Sequence, residues 1–157
     1  MSGSPTDQPA SAFTTYNELV AKALPEATKH SPYPSLLGIE VVNVEPGAIK
    51  CRLPVRPELA SGVGAVHGGA IVSLVDHALS LAVYPLVEIG KWVATLEFKV
   101  NYLAPVRPEM AAIIADARVL SLKRSLAVVR VDVTVEPTGQ LVATTQGTAY
   151  IRDKLGA

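Results

Sequence analysis

The residues best suited to chemistry lie in one apolar segment, residues 65–85, where His67, Gly68 and Gly69 are followed by Asp76. A helix that is apolar on all sides is expected to be buried. Burying a carboxylate without a partner is costly or shifts its pKa. We therefore expect Asp76 either to be held in a polar network or to face a site where its charge is used.

The His-Gly-Gly sequence marks the start of this helix. The free N–H groups of a helix's first turn point outward at the positive end of its dipole, and glycine lets a substrate oxygen approach them closely. A thioester carbonyl under attack develops negative charge on its oxygen, which the Gly68 and Gly69 amides could stabilise. Equally, the two glycines could simply permit a tight entry from loop into helix.

The spacing between the His-Gly-Gly sequence and the carboxylate constrains how they could act together. Asp76 lies nine residues after His67, which is about 13 Å along one helix. If both ends act on one carbonyl, Gly68 of one chain must meet Asp76 of another, and a two-fold dimer would carry two equivalent sites. The alternative is a structural carboxylate bonded to Ser73 and Ser80, the nearest hydroxyls on the helix.

The elements around this segment predict an α+β domain. Helical spacing over residues 13–24 ends at Pro25, and a proline-rich connector follows. The hydrophobic pattern then predicts a β-hairpin, one apolar helix and four alternating strands: 39–44, 48–54, 69–86, 93–103, 109–121, 126–136 and 141–152. Half-polar strands joined by short turns imply an antiparallel sheet. With only one long helix available, the simplest packing curves the sheet around that helix.

The alternation divides the strand at residues 93–103 into two faces. One face carries Leu96, Phe98, Val100 and Tyr102, and the other carries Thr95, Glu97, Lys99 and Asn101. We expect the mostly apolar face to pack on the core, because successive side chains of a strand point to opposite sides of the sheet.

Composition excludes several classes of protein. The 157 residues are enough for one domain with a substantial core, and 49% hydrophobic with 18% charged residues indicates a globular chain. With 14 basic and 14 acidic residues, the formal net charge is zero, so no global field recruits nucleic acid or an anionic membrane. Polar residues and Pro85 interrupt the apolar segment, which argues against a membrane span.

Cysteine usage and motifs bound the remaining choices. Cys51 is the only cysteine, so no internal disulfide can form, and no signal peptide is apparent; both predict a cytoplasmic protein. The spacing of the three histidines is not that of a metal site. The sequence lacks the glycine-rich motifs of nucleotide-binding proteins, so it predicts no nucleotide cofactor. Residues 1–12 predict a flexible tail, and residues 13–157 a single domain.

The chain resembles the hotdog-fold acyl-CoA thioesterases, in the PaaI-like (phenylacetate-pathway) branch of the 4-hydroxybenzoyl-CoA thioesterase superfamily. The residues that carry the resemblance are His67-Gly68-Gly69, Asp76, Asn101-Tyr102-Leu103-Ala104-Pro105 and Leu37-Gly38-Ile39-Glu40. The resemblance covers about residues 34–151. It implies a curved antiparallel sheet around one long central helix, paired into homodimers and usually homotetramers, with the active site at the dimer interface.

The resemblance also implies roles for individual residues. The Gly68 N–H would polarise the thioester carbonyl, and Asp76 of the partner subunit would act as general base or nucleophile. Thr95 matches a water-orienting hydroxyl, although it could equally be an ordinary strand threonine. Ser61 stands where many relatives have Asn, which puts substrate preference and rate in doubt. His67 would orient the loop or the thioester, and a purely structural role is equally open.

Coenzyme A carries phosphates, so basic side chains should border the site. By resemblance, Lys123 and Arg124 in a hairpin turn are the first candidates and Arg107 the second, and a solvated turn is the alternative. His77 is expected to pack in the interior or at an interface. The predicted function is hydrolysis of acyl-CoA to free acid and CoA. The alternative is a non-catalytic hotdog dimer that binds acyl-CoA or another apolar ligand.

Overall fold

Six antiparallel strands form one sheet in the computed structural model, which describes residues 13–153. The strands are β1 (Glu40–Glu45), β2 (Ala48–Pro54), β3 (Lys91–Tyr102), β4 (Ala112–Leu122), β5 (Leu126–Glu136) and β6 (Leu141–Asp153), in the order β1-β2-β4-β5-β6-β3. The helices are α1 (Glu18–His30), α2 (Pro32–Leu37) and α3 (Gly68–Leu81). Helix α3 contacts five of the six strands. The predicted hotdog architecture, a sheet around one central helix, is confirmed.

The core lies between α3 and the inner face of the sheet. Strand β5 shows why the sequence folds this way: Val129, Val131 and Val133 are fully buried, while Arg130 and Asp132 between them point outward. Each fully buried valine contributes about 1.5–3 kcal/mol relative to an exposed one. Helix α3 buries its own apolar residues against these strands: Ala70, Ile71, Leu74, Val75, Ala78, Leu79 and Leu81.

One segment of the described chain, Gly68–Leu86, is long and apolar enough to cross a membrane by length and composition. Of its apolar window, 61% is buried inside the protein. The contacts of α3 with the sheet account for this apolar character, as in the core helix of any globular domain. The predicted flexible tail, residues 1–12, lies outside the described residues.

The first helix differs from its prediction. It begins at Glu18, capped by the side chain of Asn17, and continues to His30 with Pro25 inside it. The prediction that the helix ends at Pro25 is therefore wrong. An interior proline costs about 3 kcal/mol, and burial of Leu24 and Thr28 on the core-facing stripe of α1 offsets that cost.

Two further boundaries were also predicted wrongly. The proline-rich connector contains the short helix α2, because Pro32 stands at the first helical position, where its missing N–H costs nothing. Helix α3 ends at Leu81 rather than at residue 86, and a 3₁₀ turn follows at Tyr84–Leu86. Pro85 has no N–H to donate to the Leu81 carbonyl, so the α-helical pattern cannot continue through it.

Strand β3 contains a β-bulge that changes the predicted faces. Thr95 pairs with Ala149 of β6 and Glu97 pairs with Thr148, so Leu96 is left over. An extra residue in one strand reverses the alternation beyond it. The prediction that Leu96 shares a face with Phe98 is wrong: Leu96 is 58% exposed, and Thr95 instead faces inward with Phe98.

Candidate active site at the start of the central helix

The start of α3 is held by backbone and side-chain hydrogen bonds. The N–H of Val66 donates to the Val106 carbonyl at 2.8 Å, and that of His67 to the Leu59 carbonyl at 2.7 Å. His67 then caps the helix, because its Nδ1 accepts from the Gly69 N–H at 2.8 Å. Since Nδ1 is an acceptor, the ring proton of neutral His67 resides on Nε2. His67 therefore fixes the loop-to-helix turn.

Only one of the two predicted oxyanion donors is free. His67 occupies the Gly69 N–H, and the next N–H, that of Ala70, donates to the His67 carbonyl at 2.9 Å. Among residues 13–153, the Gly68 N–H donates to no protein acceptor. The expectation that Gly69 also stabilises an oxyanion is therefore wrong, and Gly68 supplies the single outward N–H of this turn.

An open cleft of about 450 Å³ adjoins Gly68. Its lining is mostly apolar and carries no charged side chain: Ser61, Val63, Ala65, Val66, Gly68, Ile71, Tyr102, Leu103, Ala104, Pro105 and Val106. The Ser61 hydroxyl donates to the Ala65 carbonyl at 2.9 Å. Ser61 thus closes its own loop beside the cleft.

Asp76 lies on the exposed side of α3, not in the interior. Neither predicted hydroxyl partner contacts its carboxylate. Ser73 Oγ donates to the Gly69 carbonyl at 2.8 Å, and Ser80 Oγ lies within bonding distance of the backbone carbonyls of Asp76 and His77. The predicted burial of Asp76 is therefore wrong, and of its two alternatives the network with Ser73 and Ser80 does not form; that Asp76 faces a site where its charge is used stays a prediction. Side chains three and four residues apart share a helix face, and this face is the polar one.

The catalytic candidates fall into two groups within one chain. Gly68 and Asp76 are eight residues apart, or about 12 Å along α3. Tyr102 contacts Gly68 through a 3.1 Å hydrogen bond from its hydroxyl to the Gly68 carbonyl. Thr95 lies seven residues before Tyr102, about 20 Å away along β3. Ser61, His67 and Gly68 thus form one group, and Asp76 and Thr95 lie away from it.

His77 points away from Asp76 into the space between α1 and α3. Its Nε2 lies 3.1 Å from Thr28 Oγ1, and Thr28 is itself buried. Burial lowers the pKa of His77 below its ordinary 6.5, and the neighbouring Asp76 carboxylate offsets this only in part. The predicted packing role of His77 is confirmed.

The predicted phosphate-binding residues do not converge within one chain. Lys123 and Arg124 border a second cleft, of about 520 Å³, which Lys91 also lines. Lys91 is the first residue of β3 and forms a 2.7 Å ion pair with Asp153. Arg107 is exposed beyond the other end of β3, next to the Gly68 cleft.

Tyr102 is a residue of this site to which the sequence assigned no role. The sequence places it on the apolar face of its strand and within the Asn-Tyr-Leu-Ala-Pro sequence that supports the family resemblance. The signal that could have identified it is its position at the end of an apolar strand that runs beside the helix. The bond to Gly68 depends on the three-dimensional closeness of that strand end to the start of α3, which the sequence does not specify.

Comparisons with known proteins identify the family of the chain. The model of the thioesterase superfamily matches residues 63–142. The human acyl-coenzyme A thioesterase 13 is 27% identical over 140 residues, covering 88% of this chain and 99% of that protein. A thioesterase from Haemophilus influenzae superposes with a TM-score of 0.78 at 29% identity, covering 86% of this chain and 92% of that one.

A solved structure from the phenylacetate pathway is also similar. A mutant of the phenylacetic acid degradation protein PaaI from Thermus thermophilus has a TM-score of 0.68 and 30% identity. It covers 76% of this chain and 98% of that one. The region matched by the family model, residues 63–142, contains the His-Gly-Gly turn, α3 and strands β3 to β5. With this fold and this match over half its length, the chain belongs to the thioesterase superfamily.

Proposed function

We propose that the protein hydrolyses acyl-CoA thioesters to free acid and CoA at a site shared by two subunits, with Gly68 from one and Asp76 from the other. One observation carries this proposal. The free N–H at the start of α3 and the exposed carboxylate on the same helix are separated by about 12 Å, too far to serve one carbonyl within a single chain.

One edge of the sheet, formed by β3, would provide the means of pairing. Strand β3 is twelve residues long and ends the sheet, so one side of its backbone has no strand partner among residues 13–153. Such an edge pairs readily with another strand. If two β3 strands pair antiparallel around a two-fold axis near Phe98, Tyr102 of one subunit lies opposite Thr95 of the other. Gly68, which contacts Tyr102, is then brought toward the second subunit's α3, which packs against its own β3 and carries Asp76.

The proposed reaction uses the chain's own residues. The thioester carbonyl oxygen accepts a hydrogen bond from the Gly68 N–H, which stabilises the charge that develops on it. Asp76 either removes a proton from the attacking water, oriented by the Thr95 hydroxyl, or attacks the carbonyl carbon itself to form an anhydride that water then cleaves. In the first route the carbon–sulfur bond then breaks, and the proton taken from water passes to the CoA sulfur. In the second route the carbon–sulfur bond breaks as the anhydride forms, which releases CoA thiolate; water then cleaves the anhydride to the free acid and the Asp76 carboxylate, and the proton set free neutralises the thiolate. His67 holds the Gly68 turn in place.

The same pairing would bring the basic residues together. If Tyr102 lies opposite Thr95, the chain beyond Tyr102 in one subunit lies beside the start of β3 in the other. Arg107 of one subunit then approaches the cleft that Lys123 and Arg124 border in its partner. Three cations on one side of the shared site suit the phosphates of CoA.

The cleft beside Gly68 favours an apolar acyl group. Its lining is mostly apolar and contains no charged side chain. An aromatic or medium-chain acyl group that displaces water from this cleft would therefore bind with a favourable free energy. A carboxylated acyl group would lose its hydration there without gaining a polar partner. The similarity to PaaI of Thermus thermophilus supports the PaaI-like branch. A tetramer formed from two such dimers, and a cytoplasmic location, remain predictions.

The experiment is CoA release from a panel of aromatic, medium-chain and dicarboxylic acyl-CoAs, comparing the parent with Asp76→Asn. Thiol reagents can report the released CoA, because the only cysteine, Cys51, is fully buried and its thiol pKa is raised to about 12. Glu26→Gln, which neutralises another exposed helical carboxylate, is the matched control.

The outcomes separate the proposal from its alternative. We expect the parent and Glu26→Gln to turn over apolar acyl-CoAs, and Asp76→Asn to bind them with activity lost. Because the Asp76 side chain is exposed in the single chain, the melting temperature of the Asp76→Asn variant should stay near that of the parent. Unchanged activity in Asp76→Asn would refute the site. Binding without turnover by the parent would instead indicate a non-catalytic acyl-CoA binder.

A further inference from the structure

We infer that Tyr102 is a positioning residue, whose hydroxyl locks the Gly68–Gly69 peptide group and thereby aims the Gly68 N–H at the substrate carbonyl. This inference rests on the proposed function. In this role Tyr102 does not touch the substrate; it acts through its hydrogen bond to the backbone of Gly68.

Two hydrogen bonds meet on one peptide group. Tyr102 Oη donates to the carbonyl oxygen of Gly68 at 3.1 Å, and the N–H of Gly69 donates to His67 Nδ1 at 2.8 Å. That carbonyl and that N–H belong to the same planar unit. Helix α3 begins at Gly68, so the same carbonyl also accepts a helical hydrogen bond, from the backbone N–H four residues further on. Tyr102 and His67 add a side-chain restraint on each side of the unit, and the unit cannot rotate about its flanking bonds without losing one of them.

This restraint matters because both flanking residues are glycines. The Gly68 N–H itself belongs to the preceding peptide group, whose His67 carbonyl accepts a hydrogen bond from the Ala70 N–H at 2.9 Å. Because glycine has the widest conformational freedom of any residue, the Gly68–Gly69 turn can still change the direction of that N–H unless the following peptide group is held as well. An oxyanion donor is effective only when it is already aimed at the position of the developing charge. Locking the peptide that follows Gly68 restricts the free N–H on its other side.

The close approach of Tyr102 depends on glycine at position 68. A Cβ there would lie 2.9 Å from Tyr102 Oη and 3.1 Å from its Cζ. Tyr102 is 51% exposed, so its hydroxyl could be satisfied by water, and burial does not require its bond to Gly68. Tyr102 is the last residue of β3 and pairs with Ala143 of β6, so its backbone is held in the sheet.

The next peptide group has a support of its own. Ser73 Oγ donates to the Gly69 carbonyl at 2.8 Å, and Tyr33 Oη lies 2.8 Å from the same hydroxyl. Tyr33 thus contacts the Gly69–Ala70 peptide group only through Ser73, one peptide group further from the Gly68 N–H than the group that Tyr102 contacts. Tyr33 does not line the cleft. Tyr33→Phe should therefore have a smaller effect than Tyr102→Phe.

The kinetic test compares Tyr102→Phe, which keeps the ring and the cleft wall, with Tyr150→Phe on the outer face of β6. A neutral hydrogen bond of this kind is worth a factor of about 3 to 10. We expect kcat of Tyr102→Phe to fall by that factor, with KM within about twofold and an unchanged melting temperature, and Tyr150→Phe to match the parent.

An NMR measurement tests the same inference without turnover. His67–Gly68 is the only His–Gly pair in the sequence and Gly68–Gly69 the only Gly–Gly pair, so ¹³C-carbonyl labelling of His or Gly combined with ¹⁵N-Gly identifies each amide signal. We expect Tyr102→Phe to shift the Gly68 signal and to speed solvent exchange of the Gly69 N–H. The Gly139 signal, from a distant turn, should not change.

The two arms distinguish the failure of this inference from that of the proposed function. A parent that hydrolyses no acyl-CoA contradicts the proposed function, while the NMR arm still reports on the lock. An active parent whose Tyr102→Phe variant keeps full kcat and unchanged Gly68 and Gly69 signals overturns the inference. A fall in melting temperature with shifts in all glycine signals also overturns it, because it would show a general structural role.

Discussion

Replacing Gly68 by proline removes the proposed oxyanion donor and leaves the start of α3 able to form. Gly68 is the first residue of α3, where proline is well accepted because the N–H has no partner within the helix. His67 before it has φ −62° and ψ 135°, the extended conformation that a residue preceding proline prefers. We therefore expect Gly68→Pro to fold and to melt close to the parent.

The size of the effect follows from the contacts of Gly68. Loss of one oxyanion donor lowers kcat by about 10²- to 10³-fold. Proline also adds a Cβ, which would lie 2.9 Å from the Tyr102 hydroxyl. Gly68→Ala adds the same atom and keeps the N–H, so it measures the steric part alone. Because the Tyr102 hydroxyl stands at the end of a half-exposed ring, a small movement relieves the contact, and we expect Gly68→Ala to lose less than about 10-fold.

The assay is CoA release at saturating acyl-CoA for the parent, Gly68→Ala and Gly68→Pro, with melting curves for each. The prediction is a kcat for the proline variant at least about tenfold below that of the alanine variant. Equal kcat values for the two variants, both folded, would show that the Gly68 N–H does not stabilise the transition state.

Three further predictions concern stability and the second half of the site. Because burial lowers the pKa of His77 below 6.5, the unfolded chain binds a proton there more readily; the free energy of unfolding should fall as the pH drops below about 6.5, and His77→Gln should flatten that part of the profile. Gly147→Ala would place a Cβ 2.6 Å from the Glu97 carbonyl oxygen, so denaturant unfolding should show a loss of about 1–3 kcal/mol, whereas Gly62→Ala, with no atom within 4 Å, should be neutral. Thr95→Val, which removes a hydroxyl at nearly constant shape, should lower kcat but not the melting temperature, and an unchanged kcat would remove Thr95 from the site.

Much of the fold could be predicted because local signals agreed with one another. The alternation of Val129, Val131 and Val133 with charged residues defines β5 and its inner face. The Glu45-Pro46-Gly47 turn sets the first hairpin, and Gly47 has the positive φ of 75° that such turns favour in glycine. The His-Gly-Gly sequence located the start of α3 to within one residue.

The errors arose where local pattern and tertiary contact disagree. Asp76 was expected to be buried because its neighbours are apolar, but α3 covers only part of its surface with its own sheet. Leu96 was given a face by simple alternation, which a bulge reverses. The bond from Tyr102 to Gly68 joins residues 34 positions apart, and the sequence contains no signal for such a contact.

The most direct test of the shared site is complementation between two inactive variants. Asp76→Asn and Gly68→Pro are co-expressed with different tags, and the doubly tagged hybrid is purified and assayed for CoA release. If Gly68 of one subunit works with Asp76 of the other, each hybrid dimer contains one intact and one doubly altered site, so it should regain about half of the parent activity per dimer. If both residues act within one chain, every site in the hybrid lacks one of them, and the hybrid would remain as inactive as either variant alone.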